Sequence, residues 1–215
     1  MRSTAIVLAI AVTCLFLCIY PSAGHAQGFT QTFRADSTMD GHAGSIFRLT
    51  ESGVPGEDIF IFEEDGKNRV YALRVDGSSW EVLSVGMYYC PVSSMTIGET
   101  WRFIDQNDLT DEAQATVVAQ EEITTTAGTF SCYKVEVHVV ANPGVIVQTN
   151  WFSDGAGLIR ESIFEGSGYW ISELSNYFVT GTGFMPRVVG NWWTYSGQLV
   201  GTEETSWGGI KKLSR

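Results

Sequence analysis

The sequence predicts an all-β fold, a single antiparallel meander forming a curved sheet, a half-barrel or a barrel, with few short helices. Three observations carry this expectation. Aromatic residues make up 13% of the 215-residue chain and are interleaved with β-branched ones, a mixture that fits a pleated, half-buried surface. Short apolar runs are punctuated by turns drawn from 23 glycines, the pattern of strands and hairpins. Helical periodicity is scarce along the whole chain.

The first element is a targeting segment. MRSTAIVLAIAVTCLFLCIYPSAGHA places Arg2 before an apolar run over residues 5–20, which Pro21 breaks. Gly24-His25-Ala26 offers a small-x-small cleavage site, so residues 1–26 read as a secretory signal peptide. The run is shorter than the roughly 20 residues a spanning helix needs. Cys14 and Cys18 lack the Leu-small-small context of an acylated lipoprotein cysteine. The expected mature chain begins at Gln27, with one β-rich domain over 27–200 and a tail or short helix over 201–215. No later segment is long and apolar enough to be a transmembrane segment. The expected location is the periplasm, the outer-membrane surface or the extracellular space.

Strands follow in order. Residues 59–62 are apolar, EEDGKN turns the chain, and residues 70–75 return it. Asp-Gly between two such runs is the strongest short-range hairpin signal. A second pair, Asp76-Gly77, leads into SWEVLSV, so three strands form a meander. Residues 107–114, with Thr110 as a cap and acidic residues in the first turn, predict a short helix. In TFSCYKVEVHVV, Tyr133, Val135, Val137 and Val139 alternate with Lys134, Glu136 and His138, which is period two. Asn142-Pro143-Gly144 suits the centre of a type II turn, with residues 145–152 returning. SDGAG, LIRESIF, EGSG and YWISELSNYFV complete a second meander. MTIGETWRF and MPRVVGNWW share Gly-x-x-Trp spacing, a single short echo.

Charge and motifs bound the chemistry. A net charge of −11 repels phosphate backbones, so nucleic acid is not an expected partner. Asp154-Gly155-Ala156-Gly157 has the glycine spacing of a phosphate loop but no third glycine and no helix behind it. A calcium loop would need further oxygen ligands at alternate positions. The stretch reads as a hairpin turn. No Gly-x-Ser-x-Gly elbow is present, and the mature chain has only His42 and His138 as imidazole bases. Asp36, Asp40 and His42 make at most a partial metal set, for which a polar loop is the simpler account. No catalytic residue, metal or cofactor is therefore assigned. Carboxylates at Glu63, Glu64, Asp65, Glu121, Glu122, Glu161, Glu165 and Glu173 leave a glycoside hydrolase as a minor alternative. Such a reaction demands two of them roughly 5–10 Å apart across a cleft.

Cys90 and Cys132 remain after processing, a candidate disulfide in an oxidising compartment. The alternative is a pair of buried thiols. The bridge would close a loop worth roughly 4 kcal/mol in the chain-entropy model.

Seven tryptophans form the most informative group. They read first as core residues and second as a ligand platform. Trp170 shares a strand face with Leu174 and Phe178, which points to the core. Trp192 and Trp193 are adjacent and cannot both face inward on a strand. Candidate ligand contacts are Trp192, Trp193, Trp101 and Trp151. The tail gathers Lys211, Lys212 and Arg215 behind Trp207, Ile210 and Leu213, a small cationic amphipathic piece.

The runs AGTFSCYKV and WFSDGAGLIR resemble a pattern found in bacterial exported proteins of uncharacterised function. Gly128, Thr129, Phe130, Cys132, Lys134 and Val135 carry the first half, and Trp151, Phe152, Gly155, Gly157, Leu158 and Arg160 the second. Gly98 and Trp101 fit an upstream Gly-x-x-Trp. The likeness covers roughly residues 96–180. It is to TapB-like proteins, which are distantly similar to the lipoprotein carriers LolA and LolB. The resemblance implies a curved antiparallel sheet or open barrel in the cell envelope, with Gly128, Phe130, Gly155 and Gly157 as structural positions and no catalytic residues. Three functional expectations follow. The first is a non-enzymatic envelope protein holding an apolar or lipid-like ligand. The second is a secreted glycan-binding module using exposed tryptophans. The third is the carboxylate hydrolase.

Overall fold

The computed structural model describes residues 28–51, 55–102, 113–140, 142–164 and 168–201. The expected signal segment, residues 1–26, and the tail beyond residue 201 lie outside them. Among the described residues there are twelve strands and no helix. The strands are β1 (Gly28–Met39), β2 (His42–Glu51), β3 (Glu57–Glu64), β4 (Lys67–Val75), β5 (Glu81–Pro91), β6 (Thr100–Arg102), β7 (Ala113–Thr125), β8 (Gly128–Val139), β9 (Asn142–Ser153), β10 (Gly157–Phe164), β11 (Gly168–Phe178) and β12 (Trp192–Gly201). Most of the helix expected over 107–114 lies outside the described residues. Its last two positions, Ala113 and Gln114, open β7 instead, because Ala113 and Ala115 alternate into the core.

All twelve strands form one antiparallel sheet, ordered β5-β4-β3-β2-β1-β12-β11-β10-β9-β8-β7-β6. The first strand pairs with the last, from Gly28↔Ser196 to Thr32↔Trp192, so the two halves of the chain continue each other. The free edges are β5 and β6, consecutive in sequence, and the ladder does not close between them. The edges nevertheless approach. Trp101 Nε1 on β6 donates to the Tyr88 carbonyl on β5 at 3.2 Å. Beside it Lys67 Nζ lies 2.7 Å from Glu99 Oε1. A sheet curled this far has an inside and an outside.

Turn chemistry sets the register. Asp65 (φ 50°) and Gly66 (φ 71°) form a two-residue turn with Glu64↔Lys67 closing it. Positive φ at both positions is the type I′ geometry that matches strand twist. Asp40 (φ 49°) and Gly41 (φ 85°) repeat it between β1 and β2. The turn expected at Asn142-Pro143-Gly144 falls elsewhere. Val139 pairs with Asn142, so the ladder runs through Asn142, and the next pair is His138↔Ile146. Pro143, Gly144 and Val145 bulge out between those two pairs, which suits a proline unable to donate to the ladder.

The upper end, bearing the turns at Asp40–Gly41, Asp65–Gly66 and Asp154–Ala156, is plugged by the loop 179–191. Phe184 is 2% exposed and meets the Tyr133 ring edge-on at 5.8 Å. Buried Asn191 staples the loop, donating to the Thr180 carbonyl at 2.9 Å and accepting from Thr180 N at 2.9 Å. Below the plug, Tyr89 on β5 packs edge-on against Phe152 on β9 at 5.4 Å, joining opposite walls. Phe33, Phe47, Ile59, Val135, Leu174 and Trp193 belong to the same buried cluster. A second, smaller cluster lies on the outer face of β2–β4, where Phe60, Phe62 and Ala72 are covered by Met39, Ile46, Tyr71 and Trp80.

Candidate functional site

The SDGAG turn holds the plug. Gly155 N donates to the Gly183 carbonyl at 3.0 Å, and Asp154 Oδ1 accepts from Gly183 N at 2.7 Å. Ala156 O accepts the Trp193 indole N–H at 2.6 Å. The one carboxylate of the turn is thus spent on the fold.

Beneath the packed upper half lies a layer of inward polar side chains. Asn150 pairs with Glu161, and Glu161 with Ser172; Gln148 sits two residues along β9, on the same face. Exposures are 2% for Gln148, 0% for Asn150, and 1% each for Glu161 and Ser172. Gln148 Nε2 donates to Glu161 Oε1 at 2.5 Å and to Asn150 Oδ1 at 3.0 Å. Trp170 Nε1 donates to Ser172 Oγ at 3.1 Å. The Trp170 ring lies against Gly197, where an added Cβ would stand 2.3 Å from Trp170 Cζ2; only glycine admits the ring there.

Burial decides the protonation of this layer. Desolvation raises the Glu161 carboxyl to about 8, against the opposing hydrogen bond from Gln148. The acid is therefore held neutral at physiological pH. Tyr89 and Tyr195 lie close enough that Glu161 adds to burial in holding their hydroxyls protonated. Lower on the opposite wall, Glu57 is 9% exposed and raised to about 7 by burial and by the Asp58 charge.

The candidate ligand contacts disperse. Trp193 is 2% exposed and Trp101 7%, both inside, while Trp192 is half-buried on the opposite face of β12. Trp151 is on the outer face, cross-strand from both Lys134 and Arg160. Its ring carries Lys134 Nζ at 6.0 Å and Arg160 Cζ at 5.6 Å, and its indole N–H donates to Glu121 at 2.5 Å. Arg160 also pairs with Glu173 at 2.6 Å. Lys134, Trp151 and Arg160, spread through two sequence runs, thus form one outer ladder of cation–π contacts. Gly128 and Phe130 open β8, with Phe130 edge-on to Tyr177 at 5.7 Å.

Other expected groupings do not assemble. Asp36 accepts from Ser45, Asp40 from Tyr71, and His42 stacks on Phe62 at 4.3 Å. Among the described residues no cluster of His, Cys, Asp and Glu could hold a metal. Cys90 and Cys132 are separate buried thiols; Cys90 Sγ accepts from Asn68 Nδ2 at 3.3 Å. Glu64 is engaged by Arg69 and Tyr88, and Glu165 lies outside the described residues. Glu161, one of the eight carboxylates weighed for a hydrolase, is buried and faces inward. Its signal was its place between Ile159 and Ile163, two residues to either side on one strand face. Phe178 departs from the face of Trp170 and Leu174 and is 55% exposed. A register shift between Leu174 and Asn176 reverses the alternation, and Tyr177 turns inward.

A separate groove of about 580 Å³ lies where β1, β2 and β12 meet. Thr30, Thr50, Thr194, Ser175 and Ser196 line it with hydroxyls, beside Glu51 and the edges of Phe29 and Tyr195.

Residues 102–175, from the end of β6 into β11, match the model of an uncharacterised family described as DUF3108-like. The matched segment contains the Trp151 ladder, the hairpin turn and most of the inward polar layer. Comparisons with curated proteins and with solved structures found no match. The chain is similar to this uncharacterised family over that segment, and its fold is an all-β antiparallel meander.

Proposed function

We propose that the chain is an exported, non-enzymatic envelope protein that holds an apolar or lipid-like molecule within its curled sheet. The observation that carries this reading is the width of the sheet. Eight strands close round an interior that side chains just fill, whereas here twelve strands curl until their edges meet at Trp101 and Tyr88. Side chains fill the upper half, and the loop 179–191 plugs that end. The extra width over an eight-stranded curl is what supports a guest in the interior. The apolar signal segment supports export, and the likeness to LolA- and LolB-type carriers supports the class of ligand.

Native mass spectrometry of the protein purified from a bacterial periplasm tests this. A chain beginning at Gln27 with extra mass that leaves on denaturation is the expected result. A chain that retains residues 1–26 would contradict export, and a bare chain would contradict carriage. The glycan-binding alternative has one observation in its favour, the hydroxyl-lined groove at β1 and β12. It would use those hydroxyls and not tryptophan pairs, since Trp193 points inward. Binding on a glycan array that Thr30→Val and Thr194→Val abolish would favour it.

A further inference from the structure

The groove where β1, β2 and β12 meet has room for a guest. Its volume of about 580 Å³ falls within the range of small-ligand sites. Its hydroxyls stand on the outer face of the sheet. Thr194 alternates along β12 with the inward Trp193 and Tyr195, and Thr30 is its partner across the ladder. Glu51, the last residue of β2, stands at the rim. Small side chains leave the floor bare. Only glycine fits at position 28, because a Cβ there would stand 2.2 Å from the Tyr195 carbonyl oxygen.

Most protons of these hydroxyls are already committed. A hydroxyl has one proton to give and two lone pairs. Ser175 Oγ donates to the Thr194 carbonyl at 2.9 Å, and Thr50 Oγ1 to the Thr30 carbonyl at 3.4 Å. Thr30 Oγ1 and Thr194 Oγ1 share one proton at 3.3 Å. The Tyr195 hydroxyl is spent on the Leu158 carbonyl at 3.1 Å. Lone pairs therefore remain facing the groove, together with the Glu51 carboxyl. No lysine, arginine or histidine lines it. Burial alone raises the Glu51 carboxyl, with no basic neighbour to offset its charge. A groove rich in acceptors and poor in donors is complemented by a ligand rich in donors and positively charged. A protonated amine brings three N–H donors and makes a charge-assisted bond to a carboxylate. We infer that the groove binds an amino sugar, its ammonium group on Glu51 and its ring hydroxyls donating to the threonine and serine oxygens. The inference rests on the glycan-binding reading above and adds the charge class of the sugar to it.

The test titrates the mature chain by calorimetry at mildly acidic pH, where a sugar amine is protonated. The probes are a glucosamine trimer, its N-acetylated form and a galacturonic acid trimer. The glucosamine trimer is expected to bind at least about tenfold tighter than the N-acetylated one, and the acidic trimer weakest of the three. Glu51→Gln keeps the shape of the side chain and removes its charge. It is expected to bring the glucosamine trimer down to the affinity of the N-acetylated one. Equal affinity of those two for the wild type would overturn the amine inference and leave the glycan reading standing. A preference that survives in Glu51→Gln would come from the net charge of −11 and would overturn the inference as well. Tightest binding of the acidic trimer would also overturn it. Binding of none would overturn both readings of the groove.

Discussion

The indole N–H of Trp101 donates to the carbonyl of Tyr88 at 3.2 Å, joining the two edge strands that the backbone ladder leaves apart. One side chain thereby does locally what a row of ladder bonds does elsewhere in the sheet. Trp101 is 7% exposed, so the same residue also fills the core at the seam. Trp101→Phe keeps most of the bulk and loses the bond, and is expected to cost about 1 kcal/mol. Trp101→Ala loses both and is expected to cost about 3–5 kcal/mol. Urea denaturation measures these values. Hydrogen exchange should show amides near Tyr88 losing protection first, and unchanged stability in both variants would show that the seam holds nothing.

Gly197 is fixed by Trp170. A Cβ there would stand 2.3 Å from Trp170 Cζ2 and 2.9 Å from Cε2, so Gly197→Ala must displace a buried indole. The expected cost is about 1–3 kcal/mol, with a shift in tryptophan emission. In a Trp170→Phe background the same change should cost less, because the opposing ring is smaller. Strictly additive costs would contradict the contact.

Cys90 and Cys132 are free and buried, and burial pushes both thiols up to about 12. A thiol reagent at neutral pH is expected to label neither in the folded mature chain and both after denaturation. Adding reductant should leave the melting temperature unchanged. A melting temperature that falls on reduction would point to a bridge.

Glu161 gives the protein a definite pH response. The folded carboxyl holds its proton to about 8, while the unfolded one releases it near 4.5. Between those values the native state binds more protons, so this group lowers stability as pH rises. Glu161→Gln should therefore match the wild type below about pH 4 and gain on it steadily towards about pH 8. The gap should reach on the order of a few kcal/mol. Parallel pH profiles for the two proteins would show that Glu161 is not buried as described.

Much of the fold was legible in the sequence, and the failures have physical causes. Asp65-Gly66 announced its hairpin because only a few residue pairs tolerate positive φ at both central positions. Asp40-Gly41 carries the same signal, but its flanks, STM and HAG, hold no apolar run, so no strand was read there. Alternation gave the inward face of β8 correctly, from Tyr133 to Val139. It failed on β11, where one register shift exchanged Tyr177 for Phe178, because a bulge leaves no mark in composition. The polar layer was illegible for a related reason. Asn150 and Gln148 look outward by character, and only their registration with Phe152 and Glu161 puts them inside. The Trp151 ladder was visible as a spacing of residues, but its neighbours come from three strands and appear only once those strands are aligned.

The most direct test of a guest within the curled sheet is an electron-density map of the protein as purified from a periplasm. The account predicts continuous density, longer than a water, enclosed by the curled sheet. A map in which side chains alone fill the interior of the sheet would contradict it.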